Sequence, residues 1–278
     1  MDNRKNISFF KRTNLYILIG GILVLVTILA AIGAPFLTDM SPTDVVPQNR
    51  LTPPSQVHIM GTDDFGRDIF CRILYGTQNS LHVAFMVVVA TTVIGVIVGL
   101  IAGYYPKADG IISRVLDGIM SFPEIIIAIS LAAVWGSGKM NIIMSMSFAY
   151  FSRMARIVRG STISVKELEY VESARSIGAK DARIISRYIL PNILSPIIVQ
   201  VTFIFAYAII VESTLSFLGV GIKPPMPSLG CMLSDGRNLM AVAPWMVIFP
   251  GGAIVLAALG FNLLGDGLRD LLDPRLKQ

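Results

Sequence analysis

Six stretches of the chain are almost uninterrupted in Leu, Ile, Val and Ala: residues 15–37, 81–104, 116–135, 140–158, 195–218 and 245–264. Each runs about twenty residues, the length that carries a helix across roughly 30 Å of hydrocarbon. The runs do not alternate every second residue, as strands of a membrane barrel do. The pattern therefore predicts helices, which satisfy their own backbone hydrogen bonds inside lipid. Little more than Gly136-Ser137-Gly138-Lys139 separates the third run from the fourth, which predicts a tight hairpin. Pro123, after Ser121-Phe122, kinks the third helix or begins its regular part. Gly95, Gly99 and Gly103 recur at four-residue spacing in the second run and offer a face that another helix can approach closely. The expected fold is all-α, an integral membrane protein of six transmembrane helices.

Composition agrees with that class. Of 278 residues 54% are hydrophobic and only 15% charged, with mean hydropathy +0.68; soluble domains carry roughly 25% charged residues. The net charge of +5 is modest, and no nucleic-acid partner is expected. Its distribution is more telling. With the N-terminus inside, only Arg50, Arg67, Arg72, Lys139, Lys223 and Arg237 of the 23 basic residues fall outside. Basic residues collect on the cytoplasmic side, so both termini and the loop between the fourth and fifth runs are expected there. Arg4, Lys5, Lys11 and Arg12 before the first run resemble the start of a signal peptide. Its apolar part exceeds the usual length of roughly 7–15 residues, so it reads as an uncleaved first helix. The chain divides into residues 1–80, with the tail, first helix and external segment, and residues 81–278, a core of five helices.

The cytoplasmic loop has the sequence of a docking element. Ser164-Val165-Lys166-Glu167 is a capping-box pattern that can start a helix. Leu168, Val171 and Ala174 follow at three-residue spacing as a narrow apolar stripe. Gly178 suits a left-handed C-terminal cap, Asp181 can start a second helix, and Pro191 resets the backbone before the fifth run. A basic amphipathic helix resting on lipid explains the basic residues. It does not explain Glu167, Glu169 and Glu172, which an anionic membrane surface repels. The mixed charge favours a protein partner.

Glu172-Ser173-Ala174, then Gly178, then Leu190-Pro191, resembles the Glu-Ala-Ala loop of ABC-importer permease subunits; Ser173 replaces the middle alanine, and Tyr188 stands where isoleucine is usual. Three further segments are similar to the dipeptide, oligopeptide and nickel branch. They are Gly61-Thr62-Asp63-Asp64-Phe65-Gly66-Arg67-Asp68, Leu215-Ser216-Phe217-Leu218-Gly219 and Gly265-Asp266-Gly267-Leu268-Arg269-Asp270 with Asp273-Pro274-Arg275. Cys71 departs from the serine usual there. The resemblance implies a permease supplying half of a translocation pathway for di- or oligopeptides in a bacterial or archaeal cytoplasmic membrane. Its implied partners are an unlike second permease, two cytoplasmic ATPases and an external binding protein, with ATP and Mg held by the ATPases and no cofactor here. The ATPase-docking residues it implies are Glu169, Val171, Glu172, Ser173, Ala174, Arg175, Ile177, Gly178, Leu190 and Pro191. A nickel or metal-chelate importer has the same architecture.

Other chemistry finds little support. Gly136-Ser137-Gly138-Lys139 lacks the phosphate-loop glycine six residues before the lysine, where Ala133 stands, and the following Ser or Thr, where Met140 stands. His58 and His82 have no metal-binding spacing, and Cys71 and Cys231 have no close His or Cys partner. A disulfide between them requires both to lie outside the membrane; the simpler reading is two unpaired small residues. An intramembrane Ser/His enzyme needs a histidine within the bilayer, whereas His82 lies at a run's outer edge. Glu212 is the one carboxylate well inside the fifth run. Such groups are costly in lipid and often functional, so Glu212 is a candidate for the pathway or its gate; pairing with a neighbouring helix or reaching the outer headgroups is the alternative.

Overall fold

A computed structural model describes residues 2–272, and for residues 2–13 the backbone alone. The basic residues of the N-terminal tail and the Asp273-Pro274-Arg275 segment thus lie outside the described side chains. Ten α-helices form, with no β-strand among the described residues: α1 Asp2–Leu37, α2 Ile69–Tyr104, α3 Pro106–Met120, α4 Glu124–Trp135, α5 Lys139–Lys166, α6 Glu169–Ser176, α7 Asp181–Ile184, α8 Leu194–Phe217, α9 Leu229–Gly236 and α10 Trp245–Leu272.

Four helical runs are long and apolar enough to cross a bilayer: Asn14–Leu37, Ile69–Tyr104, Asp181–Phe217 and Trp245–Leu272. The third and fourth of the six expected spans fall outside this apolar set. The third is broken: α3 and α4 meet at 83° across Ser121–Pro123. Pro123 is extended (φ −57°, ψ 129°) and cannot donate to the preceding turn. The 12 residues of α4 reach only about 18 Å, short of the hydrocarbon thickness. Counted as one bent span, the pair raises the number to five. The fourth, α5, has 28 residues and is long enough at about 42 Å. Its polar residues, Arg153, Arg156 and Arg159 above all, keep it out of the apolar set.

Those arginines, one every third residue, meet three carboxylates of the bent pair. Arg153 Nε lies 2.9 Å from Glu124 Oε1, Arg156 Nη2 2.5 Å from Asp117 Oδ1, and Arg159 Nε 2.5 Å from Asp109 Oδ1. The ladder matches the charge on α5 to the charge on α3 and the start of α4. Half-exposed pairs such as Arg156–Asp117 add little stability singly; their value is in fixing the register of α3 and α4 on α5.

The opposite side of α5 packs on the glycine face of α2. A Cβ at Gly95 would stand 2.6 Å from Met154 Cβ, one at Gly99 2.6 Å from Ala155 O and Val158 Cβ, and one at Gly103 2.6 Å from Thr162 Cβ. The spacing read from sequence is thus a real helix–helix seam. Three apolar clusters follow the bundle from end to end, with Val83, Val87, Met146, Ile209 and Leu215 central to the largest.

Before the N-terminal end of α2, residues 38–68 fold as a cap. Asp63 is its hub: Oδ1 accepts from Phe65 N and Arg67 N, each at 2.9 Å, and Oδ2 accepts from Arg67 Nε at 2.6 Å and from Arg72. Gly66 (φ +75°) lets the chain double back beneath Val46 O, where a side chain has no room. Asp68 caps α2 by accepting from Cys71 N at 2.8 Å, which starts the helix twelve residues before the apolar run predicted it. Burial pushes the carboxyls of Asp64 and Asp235 above the usual carboxylate range, against the pull of nearby Arg67 and Arg72.

The α2–α5 seam generates a prediction. Gly99→Ala lowers stability by about 1–3 kcal/mol, because backbone at Ala155 must shift. Gly110→Ala, with nothing within 4 Å, leaves stability unchanged or slightly raised. Thermal unfolding of the two purified variants in the same detergent checks the contrast.

Candidate functional site

The loop between α5 and α8 forms as a helix–turn–helix with two differences from its sequence pattern. Ser164 does not cap: α5 continues to Lys166, and Ser164 Oγ donates back to Gly160 O at 3.2 Å. Lys166 Nζ donates to Gly103 O at 2.8 Å and thereby holds the end of α5 to the end of α2. The short helix α6 begins only after an extended Leu168 (φ −77°, ψ 142°). Its end is a complete Schellman arrangement. Gly178 has φ +83°, its N–H donates to Arg175 O at 3.0 Å, and Ala179 N–H donates to Ala174 O at 3.1 Å. The second difference concerns Pro191. It does not break the chain away from α8. Helix α7 passes through a π-helical turn, Ile185–Ile189, and a 3₁₀ turn, Leu190–Ile193, into α8, so that Asp181–Phe217 is one helical run. Widening and then tightening the helix accommodates the missing proline N–H.

The docking candidates divide by burial. Val171 and Ala174 are buried, and Val171 belongs to one apolar cluster with Tyr104, Val158 and Ile184 of its own chain. They hold α6 in place and are not open to a partner; Leu190 is half-buried at the edge of the same cluster. Glu169, Glu172, Ser173, Arg175, Ile177, Gly178 and Pro191 are exposed. Ile177 is 84% exposed, an apolar tip at the end of α6 among charges. Leu168, expected in the inward stripe, is instead exposed. Tyr104 OH donates to Asp181 Oδ1 at 2.7 Å, and Arg175 lies 5.8 Å from the Tyr104 ring. Both ends of the α6–α7 turn are thus tied to the C-terminal end of α2. A groove of about 560 Å³ opens beside this latch, between Tyr105, Lys166, Glu172 and Asp181.

Glu212 occupies a different place. It is fully buried, with no accessible surface. Three serine hydroxyls donate to it: Ser80 of α2 to Oε2 at 2.6 Å, and Ser216 and Ser228 to Oε1 at 2.8 and 3.2 Å. Ser228 is also the N-cap of α9, accepting from Cys231 N at 3.4 Å. Gly230 lets α9 come against Ser213 O, where a Cβ would stand 2.0 Å away. One carboxylate therefore fastens α2, α8 and α9 together.

Residues 92–278 match the family described as binding-protein-dependent transport system inner membrane component. The chain belongs to this family. It is 46% identical over 267 residues to the dipeptide transport system permease protein DppC of Alkalihalophilus pseudofirmus, covering 96% of this chain and 88% of that protein. It is 45% identical to the glutathione transport system permease protein GsiD of Pectobacterium atrosepticum, covering 92% and 86%. A crystal structure of an amino acid ABC transporter with histidines shares the fold, with TM-score 0.55 at 15% identity, over 72% of this chain and 94% of that one. The protein is a non-catalytic membrane subunit of a transport system.

Within this inner-membrane component, His58 had no role from sequence. Its Nδ1 lies 2.9 Å from Asp68 Oδ2, next to the cap of α2. The paired Asp63 and Asp68 flanking Gly66 were its nearest sequence signal. Cys71 and Cys231 are both free thiols. Asp117 and Glu124 are members of the arginine ladder.

The serine cage makes Glu212→Leu costly. It leaves three hydroxyls without their acceptor, at about 1–3 kcal/mol for a buried unsatisfied group. Glu212→Gln keeps an oxygen there and costs less. Loosening of α9 exposes Cys231, so its alkylation rate rises in Glu212→Leu well above that in Glu212→Gln. Thiol labelling beside thermal unfolding reads both effects.

Proposed function

We propose that the chain is the permease subunit of an ATP-driven importer of di- or oligopeptides, and that it couples to cytoplasmic ATPase subunits through the exposed face of α6. The relatives named for dipeptide and glutathione transport support a peptide substrate. The observation that carries the coupling role is the tip of α6. Ile177 projects among Glu169, Glu172, Ser173 and Arg175, on a helix whose other face is sealed by Val171 and Ala174. An apolar anchor ringed by charges has the composition of an interface centre. The latch to Tyr104 gives a route for motion, since displacement of α6 is felt at the inner end of α2.

The remaining parts follow from this reading. A second, unlike permease supplies the other half of the pathway, and an external binding protein delivers the substrate. ATP and Mg belong to the ATPases. Both termini and α6 lie on the cytoplasmic side of a bacterial or archaeal inner membrane, as the basic residues direct. Residues 1–80 serve as an added part around the 81–278 core, with α1 against α10, where a Cβ at Gly260 would stand 2.9 Å from Leu23 Cβ. Glu212 acts as the anchor of the outer segment and not as a wall of the pathway. Atoms that line a pathway between subunits are open in the isolated chain, and Glu212 has no open surface.

Gly178→Val tests the coupling role, because a β-branched residue resists φ +83° and removes the Schellman end. Glu172→Lys reverses a charge on the exposed face, and Ile177→Glu puts a charge in the apolar anchor. All three variants are expected to reach the membrane at normal yield. Each loses about tenfold or more in ATPase co-purification or in hydrolysis stimulated by loaded binding protein, the effect of removing an interface anchor. Full attachment and full stimulation in all three would make α6 a surface helix only.

A further inference from the structure

A second cavity, of about 510 Å³, opens at the junction of α8 and the last turn of α10. Its walls are apolar over Ile157, Pro196, Val199, Phe203 and Leu272. Four polar residues break that surface: Gln200, Arg269, Ser195 and Asn192, whose Nδ2 donates to Tyr188 O at 2.6 Å. Gln200 is only 7% exposed, yet its Nε2 has no hydrogen-bond partner. A buried amide donor without an acceptor is costly unless something fills the site. Arg269 at the mouth forms no ion pair among the described residues. The rim also carries the hydroxyl of Ser195.

We propose that this cavity is a binding site for an anionic phospholipid of the leaflet that faces the α8 N-terminus and the α10 C-terminus. The arrangement follows the chemistry of such a lipid from headgroup to tail. A phosphodiester takes the Arg269 guanidinium, which suits its oxygens, together with the Ser195 hydroxyl. Gln200 lies about 8 Å deeper along α8, five residues from Ser195. There its Nε2–H donates to an acyl ester carbonyl. Val199 and Phe203 then receive the start of the chains. The lining argues against a peptide or amino acid. None of the lining residues is acidic, so a zwitterion's ammonium has no counter-charge. It argues for a lipid because the cavity opens beside the last turn of the spanning run Trp245–Leu272 and against the first turns of α8, where the apolar run of α8 begins. Arg269, on the last turn of α10, has the reach to place its charge at that boundary.

The test uses the full chain in nanodiscs of phosphatidylcholine alone or mixed with phosphatidylglycerol. Bound lipid is counted by native mass spectrometry after detergent release, alongside thermal unfolding. The wild type retains phosphatidylglycerol in preference to phosphatidylcholine and unfolds at higher temperature when it is present. Arg269→Gln reduces that retention roughly tenfold, as loss of one charge-assisted contact implies. Gln200→Leu weakens retention of both lipids while the chain stays folded, because it removes a buried donor that lacked a protein partner. Arg237→Gln, a cation beyond the other end of α8, changes nothing. Equal retention of the two lipids by the wild type would overturn the proposal, and so would undiminished preference in Arg269→Gln. Inorganic phosphate alone reproducing the stabilisation would also overturn it, since the site would then be one for a free anion.

Discussion

The contact on which the rest of the molecule depends is the seam between α2 and α5. Three glycines at one-turn intervals bring two backbones together over about 12 Å of helix. Side chains on α5 that would otherwise face lipid, Met154, Val158 and Thr162, are buried there instead. The same seam sets where the arginine side of α5 points. With one face locked on α2, Arg153, Arg156 and Arg159 emerge on the opposite face and meet Glu124, Asp117 and Asp109. The break between α3 and α4 is thereby positioned from α2 through α5. Without the close approach, neither the ladder nor the bend has a fixed register.

Helix α2 then works as a strut with an anchored point at each level. Its N-terminal end is set by the Asp68 cap and by Arg72 in the Asp63 hub. A few turns further, Ser80 reaches Glu212 and so joins α8 and α9. At the C-terminal end Gly103 O accepts from Lys166, and Tyr104 OH donates to Asp181. At 36 residues α2 is about 54 Å long, so one rigid element touches both the residue 38–68 cap and the α6–α7 helix–turn–helix. Packed helices have discrete arrangements and do not deform continuously. A shift of α6 therefore acts on the strut as a whole.

Much of this was legible in the chain, for reasons that differ by element. The glycine face was readable because close helix packing requires small residues at helical spacing; glycine is also common in membrane helices as local flexibility, and the close approach of Met154, Ala155 and Thr162 decides for packing. Gly178 was readable because its position after a short polar helix needs a positive φ. The capping box at Ser164 misled because the pattern tests only local hydrogen bonds. The bond from Lys166 to Gly103 O, sixty-three residues away, favours one more turn of α5. Hydropathy misplaced the third span because it averages over Pro123 and is blind to an 83° bend. It also began α2 late, since Arg72 and the polar residues after it looked like loop. Arg72 is paired with Asp63 of the cap and Ser80 donates to Glu212, contacts no window can see.

The burial of Glu212 shows how the cost of a carboxylate in this setting is met. A lone ionisable group inside a bilayer is expensive, and sequence alone turns that expense into an argument for function. Here three hydroxyls surround both oxygens, and each comes from a segment that must be held. Its two oxygens offer acceptor sites enough to bind three donors at once. Cost and use coincide: the residue that is hardest to bury is the one that joins α2, α8 and α9. The same reasoning separates it from Gln200. Gln200 is also a polar group buried in the α8 run, but its donor is left without a protein partner. A satisfied buried polar group explains itself within the fold, whereas an unsatisfied one beside an open cavity points outward to a ligand.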